Sequence, residues 1–192
     1  VGHDNTILRT SDGGETWKIQ YFDANPSTPW YDTHFDDINN GFVVGASGKM
    51  MKTTDGGKSW TEIESFLLDL GMHANSISRI NDGSLLVTGE RSILMKSTDN
   101  GETFELITSP YAGTWFGVLP VGDKGALFFG LRGNVYATDD LSAVATEDPD
   151  DWDEFEVETT TDAAKLKASG WRKLDTEGEF TLFNGTALDD GR

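Results

Sequence analysis

Short apolar runs alternate along the whole chain with turns rich in glycine, asparagine and aspartate. The runs 41–45 and 84–89 end at a glycine, 49–53 and 93–97 lead into an Asp-containing turn, and 60–63 and 104–107 leave one. Short runs at a spacing of about 8–12 residues, bounded by such turns, are typical of β-strands. Only 163–168 resembles an amphipathic helix. The pattern therefore predicts an all-β fold.

An eight-residue box occurs three times, at 10–17, 53–60 and 97–104, with the form Ser/Thr-x-Asp-Gly/Asn-Gly-x-Thr/Ser-Trp/Phe. The box aspartates are 43 and 44 residues apart, and a glycine lies eight residues before each box. About four strands in each repeat match the blade of a β-propeller. The aspartate and aromatic of the boxes are Asp12 with Trp17, Asp55 with Trp60, and Asp99 with Phe104.

A fourth, decayed box has Asp140 in the aspartate position. Its next equivalent aromatic is Trp171, which is 31 residues further on instead of five, although Trp152 is a rival for this position. Subtracting the normal spacing leaves an excess of 26 residues within about 142–170. This stretch is rich in Glu, Asp, Thr and Ala. We expect it to be a solvated acidic insertion loop within a single, partial propeller domain formed by residues 1–192.

We expect the box residues to have a structural role rather than a catalytic or calcium-binding one. An aspartate in a tight turn accepts hydrogen bonds from nearby backbone N–H groups, and the box glycines permit positive φ. The aromatic residue then anchors the strand that leaves the turn. A repeated aspartate is a poor catalytic candidate, because a reaction needs one centre whereas the copies lie on different blades. We expect neither a metal site nor a cofactor here.

The box resembles the Asp-box, or BNR repeat, of sialidases, xyloglucanase-type glycosidases, sortilin-like receptors and photosystem II assembly factors. The phrases at 40–48, 109–117 and 130–136 are most similar to the photosystem II stability/assembly factor-like family. This resemblance implies a ring of about seven blades that binds protein and assists the assembly of membrane complexes. It also implies export, to the periplasm or outside the cell, or to the thylakoid lumen in a phototroph. We therefore expect the native protein to be longer, since a propeller closes its ring.

The order of strands in a blade predicts which turns share a face. We expect the box turns and the turns at 39–41, 81–83 and 189–191 to lie on one face, and the turns at 2–6, 45–48, 89–92 and 130–133 to lie on the other. The second face also collects the long links between blades, at about 20–32, 64–75, 108–115 and 175–183. The second face is the candidate binding face, since arginines beside aromatic residues suit carboxylates or a protein partner. The alternative is that its arginines only offset the negative field and its aromatics pack the blades. Its predicted residues are Arg91, Arg132, His73, Trp30, Tyr31, Tyr111 and Trp115.

Composition narrows the possible functions. The net charge of −18 opposes binding to nucleic acid, and the absence of cysteine excludes disulfides and thiolate chemistry. No apolar run is long enough to span a membrane. We expect a non-enzymatic, protein-binding propeller whose partner is a membrane protein or membrane complex. The alternative is a sialidase-like or xyloglucanase-like glycoside hydrolase, or a glycan-binding propeller, for which no pair of carboxylates can be identified from sequence.

Overall fold

The computed structural model describes residues 1–23, 28–153, 155–178, 180–182 and 185. The turn predicted at 189–191 lies outside these residues. The chain divides into two compact units, Val1–Ala74 and Asn75–Arg192, which are described separately. That all residues belong to one domain stays a prediction.

Unit 1 contains a two-stranded and a four-stranded antiparallel sheet, in which neighbours in sequence are neighbours in space. A short helix follows, capped by Ser65 at its start and by Gly71 in the left-handed conformation at its end. One cluster of its buried residues consists of Ile7, Trp30, Val43 and Met51. The elements are β1 (Ile7–Arg9) and β2 (Lys18–Tyr21), then β3 (Trp30–Phe35), β4 (Gly41–Gly45), β5 (Met50–Thr53) and β6 (Thr61–Glu62), and helix α1 (Phe66–Leu70).

Unit 2 contains a five-stranded and a four-stranded antiparallel sheet. One core joins them, in which Trp115, Phe128 and Tyr136 are fully buried. The prediction of four-stranded blades is confirmed, with one additional strand. The elements are β7 (Ala74–Arg79), β8 (Leu85–Gly89), β9 (Leu94–Ser97), β10 (Glu105–Ile107), β11 (Trp115–Val121), β12 (Gly125–Gly130), β13 (Val135–Thr138), β14 (Thr146–Glu147), helix α2 (Ala163–Ala168) and β15 (Arg172–Leu174).

The same tight turn directly precedes the third strand of each of the four repeats, namely β1, β5, β9 and β13. It closes with a backbone hydrogen bond from the fourth residue to the first, as in Lys49 N–H to Ala46 O at 3.2 Å and Asn134 N–H to Leu131 O at 3.2 Å. Both central residues have positive φ, which defines a type I′ turn and suits the twist of a hairpin. The central pairs are Asp4 and Asn5, Ser47 and Gly48, Arg91 and Ser92, and Arg132 and Gly133.

A glycine before this turn is required where the innermost strand passes close to it. A Cβ atom on Gly45 would lie 2.4 Å from the carbonyl oxygen of Pro29. One on Gly130 would lie 2.3 Å from the carbonyl oxygen of Thr114. Ala46 and Leu131 also donate backbone hydrogen bonds to these two oxygens, at 3.0 and 3.2 Å. The glycine repeated at this place thus permits contact between two backbones.

The insertion at 142–170 is not the plain solvated loop that its composition predicts. Its strand β14 pairs with β10 and becomes the fifth strand of that sheet. Its helix α2 buries Leu166 in the core of unit 2, and Trp171 directly after the insertion is buried as well. The carbonyl of Thr160 accepts a hydrogen bond from the hydroxyl of Tyr136 at 3.0 Å. The acidic composition predicts exposure of most side chains, but the few apolar ones anchor the segment to two sheets.

We expect Gly45→Ala to lower the free energy of unfolding by about 1–3 kcal/mol, because the new methyl group would overlap backbone atoms that cannot move away cheaply. Gly2 occupies the same place in the first repeat, and a Cβ atom there would meet nothing within 4 Å. Gly2→Ala is therefore the matched control and should leave urea unfolding nearly unchanged. Equal effects of the two substitutions would contradict this explanation.

Candidate functional site

The type I′ turns present one exposed side chain per blade. In each turn the first central residue is exposed and the second is buried. The buried position contacts the chain that enters the following blade: Asn5 donates its backbone N–H to Thr28 O at 3.0 Å, and Ser92 donates to Gly113 O at 2.8 Å. The exposed residues, in chain order, are Asp4, Ser47, Arg91 and Arg132. We call these four residues the turn tips.

Arg91 and Arg132 are the turn tips of neighbouring blades in unit 2. Both have a left-handed backbone, with φ of 50° and 58°. Arg132 also lies near Tyr111, whose hydroxyl donates to Leu131 O at 3.2 Å. Burial raises the pKa of Tyr111, and the positive charge of Arg132 partly lowers that pKa again. The sequence prediction that these two arginines occupy equivalent positions agrees with this geometry.

Three aromatic residues predicted for the binding face lie in the core instead. Trp30 is 4% exposed, Tyr111 is 7% exposed and Trp115 is fully buried. The Nε1 atom of Trp115 donates to Ser109 Oγ at 3.1 Å, and its ring meets Tyr111 edge-on at 5.1 Å. Because Trp30 and Trp115 begin the innermost strands, they pack between sheets. These three side chains are too deeply buried to contact a binding partner.

Tyr31 and His73 form a separate group in unit 1. Tyr31 is 41% exposed, and its ring centroid lies 5.5 Å from that of His73. His73 Nδ1 accepts the backbone N–H of Ser47, a turn tip, at 3.2 Å. This bond requires the tautomer in which Nδ1 carries no proton. Ser47 and Asp4 were not among the predicted face residues, although each lies two positions after a repeat glycine, as the two arginines do.

The three intact boxes join the third and fourth strands of their blades by one repeated hydrogen-bond network. In the second box, Asp55 Oδ1 accepts the backbone N–H of Ser59 at 2.9 Å, and Oδ2 accepts its hydroxyl at 2.6 Å. Thr53 Oγ1 donates to Asp55 Oδ1 and accepts the N–H of Gly57, both at 2.9 Å. Asp12 and Asp99 make the equivalent contacts.

These contacts lower the pKa of every box aspartate. The hydroxyl of Thr16 holds the pKa of Asp12 at about 2, and that of Ser59 holds the pKa of Asp55 at about 2. The hydroxyl of Thr103 lowers the pKa of Asp99 still further. A carboxylate that is fully engaged as an acceptor is a structural group rather than a proton donor for catalysis.

The box aromatics are held in different ways. Trp17 is 57% exposed, and its Nε1 donates to Gly14 O at 3.1 Å. Trp60 packs on the core of unit 1, Phe104 is half-buried and Trp171 is buried. Trp60 and Trp171 therefore anchor their strands by packing against a core, as expected, whereas Trp17 is mostly exposed.

The decayed fourth box forms a different turn. Asp140 Oδ1 accepts the N–H of Ser142 at 2.9 Å and its hydroxyl at 2.6 Å, which lowers the pKa of Asp140. A 3-10 turn over Leu141–Ala143 begins there instead of a return strand. Strand β15, which directly follows Trp171, pairs with β13. The alignment that skips the insertion and places Trp171 before the fourth strand agrees with this pairing.

Among the described residues, no group of three or more histidine or acidic side chains is placed to hold a metal ion. No helix in the described ranges is long and apolar enough to cross a membrane.

Antiparallel four-stranded sheets, Asp-box hairpins and repeating type I′ turns define an Asp-box β-propeller. The chain belongs to the family described as photosynthesis system II assembly factor YCF48, whose model matches residues 20–152. Photosystem II assembly lipoprotein Ycf48 of Synechococcus sp. (strain CC9902) is 26% identical over 141 residues, which are 72% of this chain and 41% of that protein.

Solved structures show the same fold. A structure of YCF48 bound to D1 peptide matches with a TM-score of 0.59 at 22% identity, covering 77% of this chain and 49% of that one. YCF48 from Cyanidioschyzon merolae matches with a TM-score of 0.50 at 24% identity, covering 62% and 37%. The chain thus spans less than half the length of these relatives.

We expect the box aspartates to make stability depend on pH in the acid range. Their folded pKa lies below the ordinary value of 3.8, so their contribution is complete above about pH 4 and is lost as the pH falls through about 2. Asp55→Asn should lower the urea midpoint at pH 7 and flatten its dependence on pH between about 4 and 2.

Asp150→Asn is the control, because the Asp150 side chain accepts no hydrogen bond from a described residue. An Asp55→Asn variant with the unchanged pH dependence of the parent chain would contradict the structural role of the box carboxylate.

Proposed function

We propose that this chain is part of a non-catalytic propeller that binds an exposed segment of a membrane protein and assists assembly of its complex. Membership of the YCF48 family supports the assembly role. The relative solved with a bound D1 peptide supports recognition of a peptide segment. The binding surface that we propose in unit 2 centres on the turn tips Arg91 and Arg132.

The equivalent placement of Arg91 and Arg132 is the observation that carries this proposal. A left-handed backbone costs a non-glycine residue about 1–2 kcal/mol, and both arginines adopt it because the turn imposes it. Each arginine side chain therefore leaves the backbone at an exposed corner of a chain with a net charge of −18. Guanidinium groups bind carboxylates through paired, charge-assisted hydrogen bonds. The segment that fits is acidic or ends in a free carboxylate.

A recess beside Arg132 extends this surface. Its volume is about 610 Å³, and its wall includes Arg132, Asn134, Lys173 and Thr176. Two cations and two neutral hydrogen-bonding side chains suit the polar backbone and carboxylate of an extended segment better than an apolar helix. Asp175 also contributes to the wall, so the recess favours a segment that carries both acceptors and donors.

We infer an exported protein, periplasmic or extracellular, or lumenal in a phototroph. The support is the curated relative, which is a lipoprotein. A glycan-binding or glycan-cleaving propeller is the second candidate, because Asp-box propellers include glycosidases.

The two candidates differ in a direct assay. We expect no hydrolysis when the chain is incubated with a panel of sialosides and xyloglucan oligosaccharides, since the box carboxylates are engaged within their own turns. Hydrolysis that a single Asp or Glu substitution abolishes would overturn the non-catalytic proposal.

Charge reversal tests the binding surface. We expect Arg91→Glu with Arg132→Glu to reduce capture of the partner from solubilised membranes by at least about tenfold, as loss of two charge-assisted contacts implies. Lys124→Glu is the matched control, because Lys124 is exposed at the opposite end of β12 from Arg132. Unchanged capture by the double variant would exclude this surface.

A further inference from the structure

We propose that unit 1 has a binding site of its own, for a phosphate group, in a recess between the first and second Asp-boxes. The recess has a volume of about 250 Å³. This is below the range of about 300–1,000 Å³ that is typical of sites for whole organic molecules, so it suits one compact group. The site does not rest on the proposed function. Its lining residues are Arg9, Thr10, Ser11, Lys18, Gln20 and Lys58.

Positive charge is concentrated in this recess although the surrounding unit is acidic. Unit 1 contains eleven aspartates and glutamates but only five lysines and arginines. Three of these five, Arg9, Lys18 and Lys58, line the recess, whereas none of the described acidic residues does. None of the three forms an ion pair within the described ranges. The three charges therefore lie together without a paired carboxylate.

The cross-strand pair in the recess is electrostatically unfavourable. Arg9 in β1 lies directly opposite Lys18 in β2. Like charges opposite each other destabilise an antiparallel pair, whereas opposite charges stabilise it. Among the four repeats, only the first has two basic residues at these positions, and an anion bound between them would remove the repulsion. The equivalent pairs in the second, third and fourth repeats are Lys52 with Thr61, Lys96 with Glu105, and Ala137 with Arg172.

Arg9 also connects the first blade to the second box. Its Nη1 atom donates a hydrogen bond to the backbone carbonyl of Gly56, and Lys58 follows two residues later. Lys58 occupies a box position whose side chain takes no part in closing the turn. The first and third boxes have Glu15 and Glu102 at this position. A basic residue therefore occurs there only in the box that contributes to the recess.

The donors around the recess favour phosphate over a carboxylate. The bond to Gly56 leaves most of the N–H groups of the Arg9 guanidinium available. The side chains of Ser11 and Gln20 form no hydrogen bond with a described residue, so they add further donors. A phosphate monoester has three acceptor oxygens and a charge of about −2, whereas a carboxylate has two oxygens and a single charge. Inorganic phosphate and the headgroup of phosphatidic acid share this chemistry.

The test uses inorganic phosphate as the probe, titrated at constant ionic strength and about pH 7.5, where it is mostly the dianion. We expect saturable binding that shifts the backbone amide resonances of Ser11, Lys18 and Lys58 in a ¹H–¹⁵N spectrum. Acetate should bind at least about tenfold more weakly. Vesicles of phosphatidylcholine and phosphatidic acid in equal parts distinguish the sources. Sedimentation with these vesicles, but not with phosphatidylcholine alone, identifies a lipid headgroup, and no sedimentation with either identifies free phosphate.

Lys18→Glu separates a binding role from a structural one. It reproduces the opposite-charge pair of the third repeat, so it should raise the midpoint of urea unfolding and weaken phosphate binding at least about tenfold. Lys49→Ala is the control, because Lys49 belongs to unit 1 but does not line the recess. Absence of saturable binding, equal affinity of the Lys18→Glu variant, or an equal loss of affinity in Lys49→Ala would each overturn the proposal.

Discussion

The structure depends above all on the type I′ turn between the second and third strands of each blade. Two successive residues must adopt positive φ, and the preceding glycine must let another backbone approach, as Gly45 and Gly130 do. These requirements fix which side chain is exposed and which is buried. The second central residue is used to bind the chain entering the next blade, and only the first is free to vary. Function is therefore restricted to one position per turn.

The Asp-box fulfils the opposite role at the other end of the third strand, where it closes the hairpin between the third and fourth strands. There the aspartate hydrogen-bonds to the first and the last hydroxyl residue of the box, and these contacts close the turn. Each repeat thus has two different ends. The Asp-box has the same hydrogen bonds in all three intact copies, whereas the residue at the turn tip is Asp, Ser or Arg in the different repeats. In the fourth blade the closure is lost, and the insertion takes its place.

Much of this organisation can be predicted from the sequence. The box spacing predicts the hairpins, the glycine offset predicts the equivalence of Arg91 and Arg132, and the 26-residue excess locates the insertion. Burial of Trp30 and Trp115 could not be predicted, because aromatic residues at the start of a strand serve cores and interfaces equally well. The pairing of β14 with β10 could not be predicted from the sequence either, since a two-residue strand is too short to show a periodic pattern of apolar residues. Both the burial of these tryptophans and the pairing of β14 depend on contacts between residues that are far apart in the sequence.

Site-specific photocrosslinking tests the central claim most directly. A photoreactive residue in place of Glu90, next to the turn tip Arg91, is compared with one in place of Asp123, in the turn at the opposite end of the next blade. Our account predicts a crosslink to a membrane protein from Glu90, its loss when Arg91 and Arg132 are reversed to Glu, and none from Asp123. Crosslinking that is equal at both positions, or that persists after charge reversal, would contradict it.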